Sequence, residues 1–497
     1  MGIIEKQATQ NAIYSYLGAG LGFITVMWMS HVLTPAENGS IRLIVSYAAL
    51  FAQFGNLGFT SVTSRFFPFF RNHDKGHHGF LFYALLVTFV GFLICWMVFL
   101  FIKPSLVESN QLKSPLFVTY LTYLIPLTFF VLYFNIFDSY LRACYSSVAG
   151  SFVKEFLQRI MILLVLFFYF IGIITIPVFV FLYFVATALP SVLLLFHIIQ
   201  QKEWHIKPIR GFISKELRKE MTQLGIYSLL AGGAGAIILN VDIIMVNQLL
   251  DEKQTGIYGI AFYFGTIILI PARSIYRITA SIVAENFKQN KLLEIHKLYK
   301  QSCNTQLAIG ILLFIGIWAN INNIVQLLPA EYASGKNVIL ILTMGYLVEM
   351  ATGINQVIIA ASPQYKYDTY FVFILVFVTV IANYILIPIY GIEGSALATA
   401  IVAIFGNGLR YGLLYKKYGM QPFTKNTLKI IIIAVIAFIP GYFIPTIKNW
   451  YFDTAIRSSM IGGVFIFLLL KLEAAPELNN KIRKNLKHIP IVSKWKL

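Results

Sequence analysis

Charge is scarce in this sequence. Asp, Glu, Lys and Arg make up 12% of its 497 residues, about half the share of an ordinary soluble domain. Cysteine is rarer still. Cys95, Cys144 and Cys303 lie far apart, in or beside apolar segments, without the spacing of a metal or redox motif. No GxxxxGK[ST] loop is present, so ATP is not expected to drive this chain. A serine elbow and a paired-carboxylate loop of hydrolase type are also missing. The loops expected outside the membrane, around Lys103–Pro115 and Ile447–Asp453, are too short and too poor in acid, base or sugar-binding groups for a membrane glycosyl polymerase or ligase. An enzyme is not expected. The start MGIIEKQATQ runs into an apolar span too long for a signal peptide and lacks a small-residue cleavage site, so that span is expected to be retained.

What the chain has is apolar length. Hydrophobic residues account for 58% of it, and long apolar stretches recur from end to end. Each of roughly 20 residues matches a bilayer core of about 30 Å. Fourteen spans are expected, near 10–33, 41–68, 80–102, 116–138, 152–173, 177–200, 222–249, 256–284, 304–327, 337–360, 368–389, 393–415, 428–446 and 454–472. The fold class is therefore an all-α polytopic membrane protein of about 14 transmembrane helices. The net charge of +18 is carried largely by loops, where basic residues set topology and meet anionic headgroups; nucleic acid is not expected as a partner. Arg71, Lys75, the cluster Lys202–Lys219 and Lys288–Lys300 fall on one side, against sparse Arg42, Lys103, Lys113, Lys253, Lys336, Lys448 and Arg457 on the other. The positive-inside rule then places both termini in the cytoplasm.

The longest inner loop, Gln200–Met221, divides the chain, and the two parts echo each other. The first span ends SHVLTPAENGSIRLIVSYAALF and the seventh ends VNQLLDEKQTGIYGIAFYFGTI. In each, a polar turn leads to a glycine, Gly39 or Gly256, at the opening of a long span. Two pseudo-symmetric lobes follow, with two extra C-terminal helices. The expected division is a six-helix lobe over 1–200, a basic cytoplasmic linker over 201–221, a second six-helix lobe over 222–416, helices 13 and 14 over 417–475, and a basic cytoplasmic tail over 476–497. That tail mixes basic and apolar residues, as a segment lying on the inner leaflet would.

Ionisable residues inside spans are functional candidates. Arg273 and Arg277 lie four apart, on one face of the eighth span, behind Pro271, which can kink the helix. A guanidinium keeps its charge, so each either snorkels to the surface or lines a wet cavity. Arg65 ends the equivalent span of the first half, and Arg42 begins it. Together these arginines suit a phosphate or pyrophosphate group passing through. Asp138 and Arg142, four apart, read as an intrahelical ion pair. Asp242 and Glu349 lie in spans without a basic residue at helical spacing, so each is protonated, bound to a coupling ion (H+ or Na+), or paired across a cavity. His73, His77 and His78 in RNHDKGHHGF are of metal-ligand type but have no regular ligand frame; a solvated loop is expected, with no metal and no cofactor.

Two motifs give these features a setting. Leu33, Pro35 and Gly39 follow the first span as L-x-P-x-x-x-G, and Gly391-Ile392-Glu393-Gly394-Ser395-Ala396-Leu397-Ala398-Thr399 opens the twelfth. With the topology, they make the chain resemble the polysaccharide-biosynthesis (O-antigen type) flippases of the multidrug, oligosaccharidyl-lipid and polysaccharide exporter superfamily. The first-half counterpart, Gly172-Ile173-Ile174-Thr175, lacks the second glycine. The resemblance implies a flippase in the bacterial inner membrane that moves undecaprenyl-pyrophosphate-linked oligosaccharide from the inner to the outer leaflet. It also implies alternating access through a cationic cavity formed by Arg65, Arg273, Arg277 and Arg42, with Gly39, Pro271, Gly391 and Gly394 as hinges or close-packing points. The implied partners are the lipid-linked glycan, anionic lipids and other polysaccharide-assembly membrane proteins, in lipopolysaccharide synthesis. A multidrug or metabolite exporter of the same superfamily, or a flippase of a peptidoglycan precursor, is the alternative.

Overall fold

The computed structural model describes residues 3–209 and 211–486. The end of the basic tail, 487–497, lies outside the described residues. Among the described residues all regular structure is helical. The chain divides into two compact units, Met1–Gly259 and Ile260–Leu497.

The first unit contains α1 (Ile3–Val32), α2 (Pro35–Gly55), α3 (Phe59–Phe70), α4 (Phe80–Asn110), α5 (Pro115–Tyr120), α6 (Leu124–Ala143), α7 (Val148–Ser151), a π-helical turn Phe152–Leu157, α8 (Gln158–Phe170), α9 (Ile176–Gln200) and α10 (Lys215–Leu249). α11 (Glu252–Thr266) begins in this unit and ends in the next. The second unit continues with α12 (Ile270–Lys288), α13 (Leu292–Ala319), α14 (Ile321–Gln326), α15 (Lys336–Thr352), α16 (Asn355–Ala361), α17 (Tyr365–Tyr390), α18 (Ile392–Tyr418), α19 (Lys425–Phe443), α20 (Trp450–Lys471) and α21 (Pro476–Leu486). The unit boundary falls after the seventh expected span rather than in the Gln200–Met221 loop, because α10 packs along α2 and α3.

Eleven helices are long and apolar enough to cross a membrane, and thirteen spans result when the bent pairs α2–α3 (43°) and 330–361 (51°) each count as one. This is a multi-pass membrane protein. The span expected at 152–173 is the one not counted. The π turn interrupts it, and Lys154, Glu155 and Arg159 sit in its first half. The α2–α3 bend has a local cause. Leu57 and Gly58 both take positive φ, 50° and 73°, so the helix cannot continue through them.

The L-x-P-x-x-x-G motif is a helix start. Thr34 accepts the Glu37 N–H at 3.3 Å, while Glu37 accepts the Thr34 N–H at 2.8 Å. This capping box satisfies otherwise orphaned groups, with Pro35 at a position where its missing N–H costs nothing. Pro271 acts differently from a sharp kink: the residues before α12, Ile267–Leu269, tighten into a 3₁₀ turn, and Glu252–Lys288 remains one span.

Apolar cores hold each unit. In the first, Phe67, Phe70, Phe80 and Tyr140 join α3, α4 and α6, and Ile41, Leu43, Phe117 and Phe179 join α2, α5 and α9. In the second, Leu307, Ile433 and Phe465 join α13, α19 and α20. α21, the described part of the expected tail, folds back onto this core through Leu478 and Ile482, and Gln301 donates to Glu477 at 2.6 Å.

Candidate functional site

The first unit holds a partly open cavity of about 370 Å³ between α1, α2, the π turn, α8, α9 and α10. Three cationic side chains line it, Arg42, Lys154 and Arg159, against one carboxylate, Glu155. Arg42 projects from the second turn of α2 and lies across Gly259, whose added Cβ would sit 3.0 Å from the Arg42 Nε. Arg159 lies 3.4 Å from Glu155, one turn away. The Lys154 ammonium stands 4.5 Å from the centre of the Phe134 ring, a cation–π geometry. Thr25 and Tyr183 add hydroxyl groups to the wall. α1 closes on the π turn at Gly18, where an added Cβ would be 2.7 Å from the Glu155 carbonyl oxygen. Three cations on one wall attract an anion, and guanidinium forks match phosphate oxygens.

A second cavity of about 500 Å³ lies between α2, α3 and α6. Its wall is made almost entirely of uncharged hydrogen-bonding groups: Gln53, Asn56, Thr60, Ser61, Asn135 and Ser139 are among them, with Arg142 as its cation. The α2–α3 bend creates this row by turning both the end of α2 and the start of α3 toward α6. Asp138 accepts from Arg142, the ion pair expected from their spacing.

Of the arginines proposed from sequence, Arg42 is among the residues lining the first of these cavities, which lies within the first unit. Arg65 is exposed in the first unit, 5.8 Å from the Phe66 ring centre. Arg273 and Arg277 are exposed in the second. Lys154 and Arg159 were not among the candidates. Their signal was present as three charges within six residues of an expected span, but apolar length masked it.

Asp242 is 4% exposed and receives the Tyr258 hydroxyl at 3.2 Å. It therefore has the partner that its own helix spacing did not supply. Nearby, Asn247 donates to Asn110 at 2.7 Å and accepts from Ser114 at 2.8 Å. Glu349 lies within electrostatic reach of Arg410 and Arg273, and Arg410 in turn pairs with Asp368 at 3.1 Å. This pairing spans α15, α17 and α18, too far apart in sequence to be read as one group. Gly394 packs against the end of α17, where an added Cβ would run into the Leu386 carbonyl, and Gly391 takes φ 61° at the start of α18.

The histidine loop is not the solvated segment expected. His77 is buried, 4% exposed, and His78 stacks on Phe212 at 3.9 Å.

Residues 6–277 match the profile of the family described as polysaccharide biosynthesis protein. Among solved structures, the fold is similar to the lipid II flippase MurJ in an inward closed conformation, with a TM-score of 0.74 and 16% identity over 92% of this chain and 97% of that one. It is also similar to an inward-facing multidrug resistance MATE family transporter of the MOP superfamily, with a TM-score of 0.61 and 14% identity over 82% and 96% of the two chains. A MOP superfamily transporter from Pyrococcus furiosus, described with a binding pocket of reverse polarity, gives a TM-score of 0.56 and 13% identity over 84% and 97%. None of the curated proteins matches the chain.

Proposed function

Starting from a chain that belongs to the polysaccharide biosynthesis protein family, we propose that it is a flippase for a polyprenyl-pyrophosphate-linked oligosaccharide. It would work in the bacterial inner membrane, with cytoplasmic termini, and move the undecaprenyl-linked unit from the inner to the outer leaflet for O-antigen or a similar surface polysaccharide. One observation carries this reading: in a protein built for lipid, the first unit keeps a cavity lined by Arg42, Lys154 and Arg159 against a single carboxylate. A pyrophosphate with sugars cannot cross hydrocarbon unaided. A cationic recess replaces the water around the phosphates while the polyprenyl tail stays in the bilayer. The hydroxyl- and amide-lined cavity offers the mixed donors and acceptors that sugar hydroxyls require.

Arg65, exposed in the first unit, and Arg273 and Arg277, exposed in the second, are the further candidate groups for the headgroup. Asp242 and Glu349 are the candidate groups for coupling to H+ or Na+, biasing one access state over the other. Anionic lipids and other polysaccharide-assembly membrane proteins are the proposed partners. An exporter of cationic drugs fits less well, because the cavity would repel its cargo.

The test is transport of a fluorescent undecaprenyl-pyrophosphate oligosaccharide in proteoliposomes, with headgroup exposure read by a membrane-impermeant reagent. Wild-type flipping that falls at least about tenfold in Arg42→Ala, the loss of one charge-assisted contact, supports the reading. Export of a small cation with no lipid-linked glycan flipped would overturn it.

A further inference from the structure

Two loops of the first unit bring three imidazoles and a carboxylate together. Residues 71–79 join α3 to α4, and residues 201–214 join α9 to α10. The ring centres of His73, His77 and His205 form a nearly equilateral triangle, with sides of 6.0, 6.0 and 5.9 Å. Glu203 reaches into it, 2.6 Å from the Nε2 of His77 and 3.9 Å from that of His73. One donor atom each from His73, Glu203 and His205 lie within 4.8 Å of one another. The Nε2 of His205 is buried and has no hydrogen-bond partner. A buried imidazole nitrogen left in that state is costly unless something else occupies its lone pair or proton.

The backbone is bent to make this cluster. Gly76, His77, His78 and Gly79 take φ of 56°, 49°, 50° and 72° in succession. Two of the four are not glycine, in a region that L side chains adopt only at a cost. The loops are also pressed together. An added Cβ at Gly76 would be 3.1 Å from the His205 ring, and one at Gly79 would run into the Lys207 carbonyl. Strain and close packing here are expended on joining one loop to the other.

Hydrogen bonding sorts the roles. The Asn72 N–H donates to the Nδ1 of His77 at 3.1 Å, so Nδ1 is the acceptor and Nε2 carries the proton. That Nε2–H donates to Glu203 at 2.6 Å. His77 is therefore the group that orients the carboxylate, in the manner of outer partners around metal sites. His73 and His205 keep nitrogens for an ion, and Glu203 keeps its second oxygen.

We propose that His73, Glu203 and His205 bind a divalent transition-metal ion of the zinc class, with His77 positioning Glu203. Two imidazoles and one carboxylate, with coordination positions left for water, are a borderline-soft donor set that suits zinc and its neighbours rather than calcium or magnesium. Bonds of about 2.0–2.2 Å would draw the donors to roughly 3.4 Å apart, a contraction to be supplied by rotation of the exposed His73 together with small shifts of the half-buried Glu203 and His205. The Cys144 sulfur, within 4.8 Å of the donor atoms of His77 and Glu203, is a softer neighbour available to the same ion. The bound ion would clamp the 201–214 segment to the 71–79 loop, at the face whose basic residues mark it as cytoplasmic. This inference stands apart from the transport reading, since it rests on neither cavity.

The experiment uses the full chain purified in detergent, treated with chelator and desalted, then titrated with Co2+ and back-titrated with Zn2+. One Co2+ per chain is expected, with the visible absorption of a four- or five-coordinate ion, displaced by Zn2+. His73→Ala and His205→Ala should each weaken binding by at least about 100-fold, and His77→Gln by about tenfold, as loss of a ligand exceeds loss of an orienting partner. His78→Ala, outside the donor set, should bind as wild type does. No stoichiometric binding by wild type, or binding retained by the His73→Ala/His205→Ala double variant, overturns the proposal. Limited trypsin cleavage after Lys202 in wild type, with and without Zn2+, needs no variant to fold. Several-fold slower cleavage with Zn2+ supports the clamp, and unchanged cleavage overturns it.

Discussion

Gly39 and Gly256 lie backbone to backbone. A Cβ added at Gly39 would sit 2.8 Å from the Gly256 nitrogen and run into the Glu252 carbonyl, and one added at Gly256 would run into the Pro35 carbonyl. The start of α2 and the start of α11 thus cross at a separation that only glycine permits, as in close helix contacts within membranes. Ser40 seals the crossing by donating to Glu252 at 2.9 Å. Substituting Gly39→Ala should destabilise the protein by about 1–3 kcal/mol, as overpacking does, seen as a lower melting temperature in detergent. Gly20→Ala, inside α1 where nothing lies within 4 Å, should not lower that temperature.

The cationic cavity predicts an ordering among its residues. Arg42→Ala should lower flipping at least about tenfold, and Arg42→Lys should recover part of it, because a point charge replaces a fork. Glu155→Gln removes the one opposing charge. It should strengthen headgroup binding and slow release, lowering the apparent KM and the maximal rate together. A dose series of lipid-linked substrate in proteoliposomes separates the two.

The amide- and hydroxyl-lined cavity predicts a different phenotype. Ser61→Leu with Asn135→Leu would fill it with apolar bulk. Flipping of the sugar-bearing lipid should fall, while flipping of the same polyprenyl pyrophosphate without sugars should be retained. Equal loss for both lipids would remove this cavity from the glycan path.

In α20, Arg457 donates to Asp453 at 2.7 Å and to the carbonyls of Gly441 and Ile444 at 2.8 and 2.7 Å. Asn323 donates to the same carboxylate at 2.6 Å. The guanidinium therefore closes the end of α19. Arg457→Ala should cost about 3–5 kcal/mol, the penalty for leaving a buried charge uncompensated. The Asp453→Leu/Arg457→Met pair should cost less than either single change. Melting in detergent measures both.

Candidate coupling groups are separable by their surroundings. Asp242→Asn keeps the shape that receives the Tyr258 hydroxyl and removes the charge. If Asp242 takes the coupling ion, stimulation of flipping by an imposed H+ or Na+ gradient should vanish while gradient-free exchange persists. Glu349→Gln should instead disturb Arg410 and Arg273 and lower activity with or without a gradient.

Much of this molecule was legible in its sequence, for identifiable reasons. Apolar length located the spans, and the echo between the two halves pointed to Gly39 and Gly256, which prove to touch each other. The polar turn before Gly39 proves to be a helix start, capped by Thr34 with Pro35 in its first turn. What stayed hidden depends on partners distant in the chain. Glu349 and Arg410, or His73 and His205, meet only after folding. Arg457 read as a topological charge, yet it is buried against carbonyls of a neighbouring helix. The cavity role of Lys154 and Arg159 was hidden because hydropathy averages over a span, whereas a cavity is set by which few residues share a face.

The π turn at Phe152–Leu157 links that shared face to a residue count. An α-helix turns by about 100° per residue, and a π turn holds one residue more than its neighbours. Deleting a single residue there would leave every charged side chain in place along the sequence and yet rotate Lys154 and Glu155 away from Arg159 by that angle. The polarity of the cavity is thus a matter of register as well as composition. Relatives with the same charges but a regular helix at this point would present them to lipid or to another wall, and would be expected to carry different cargo.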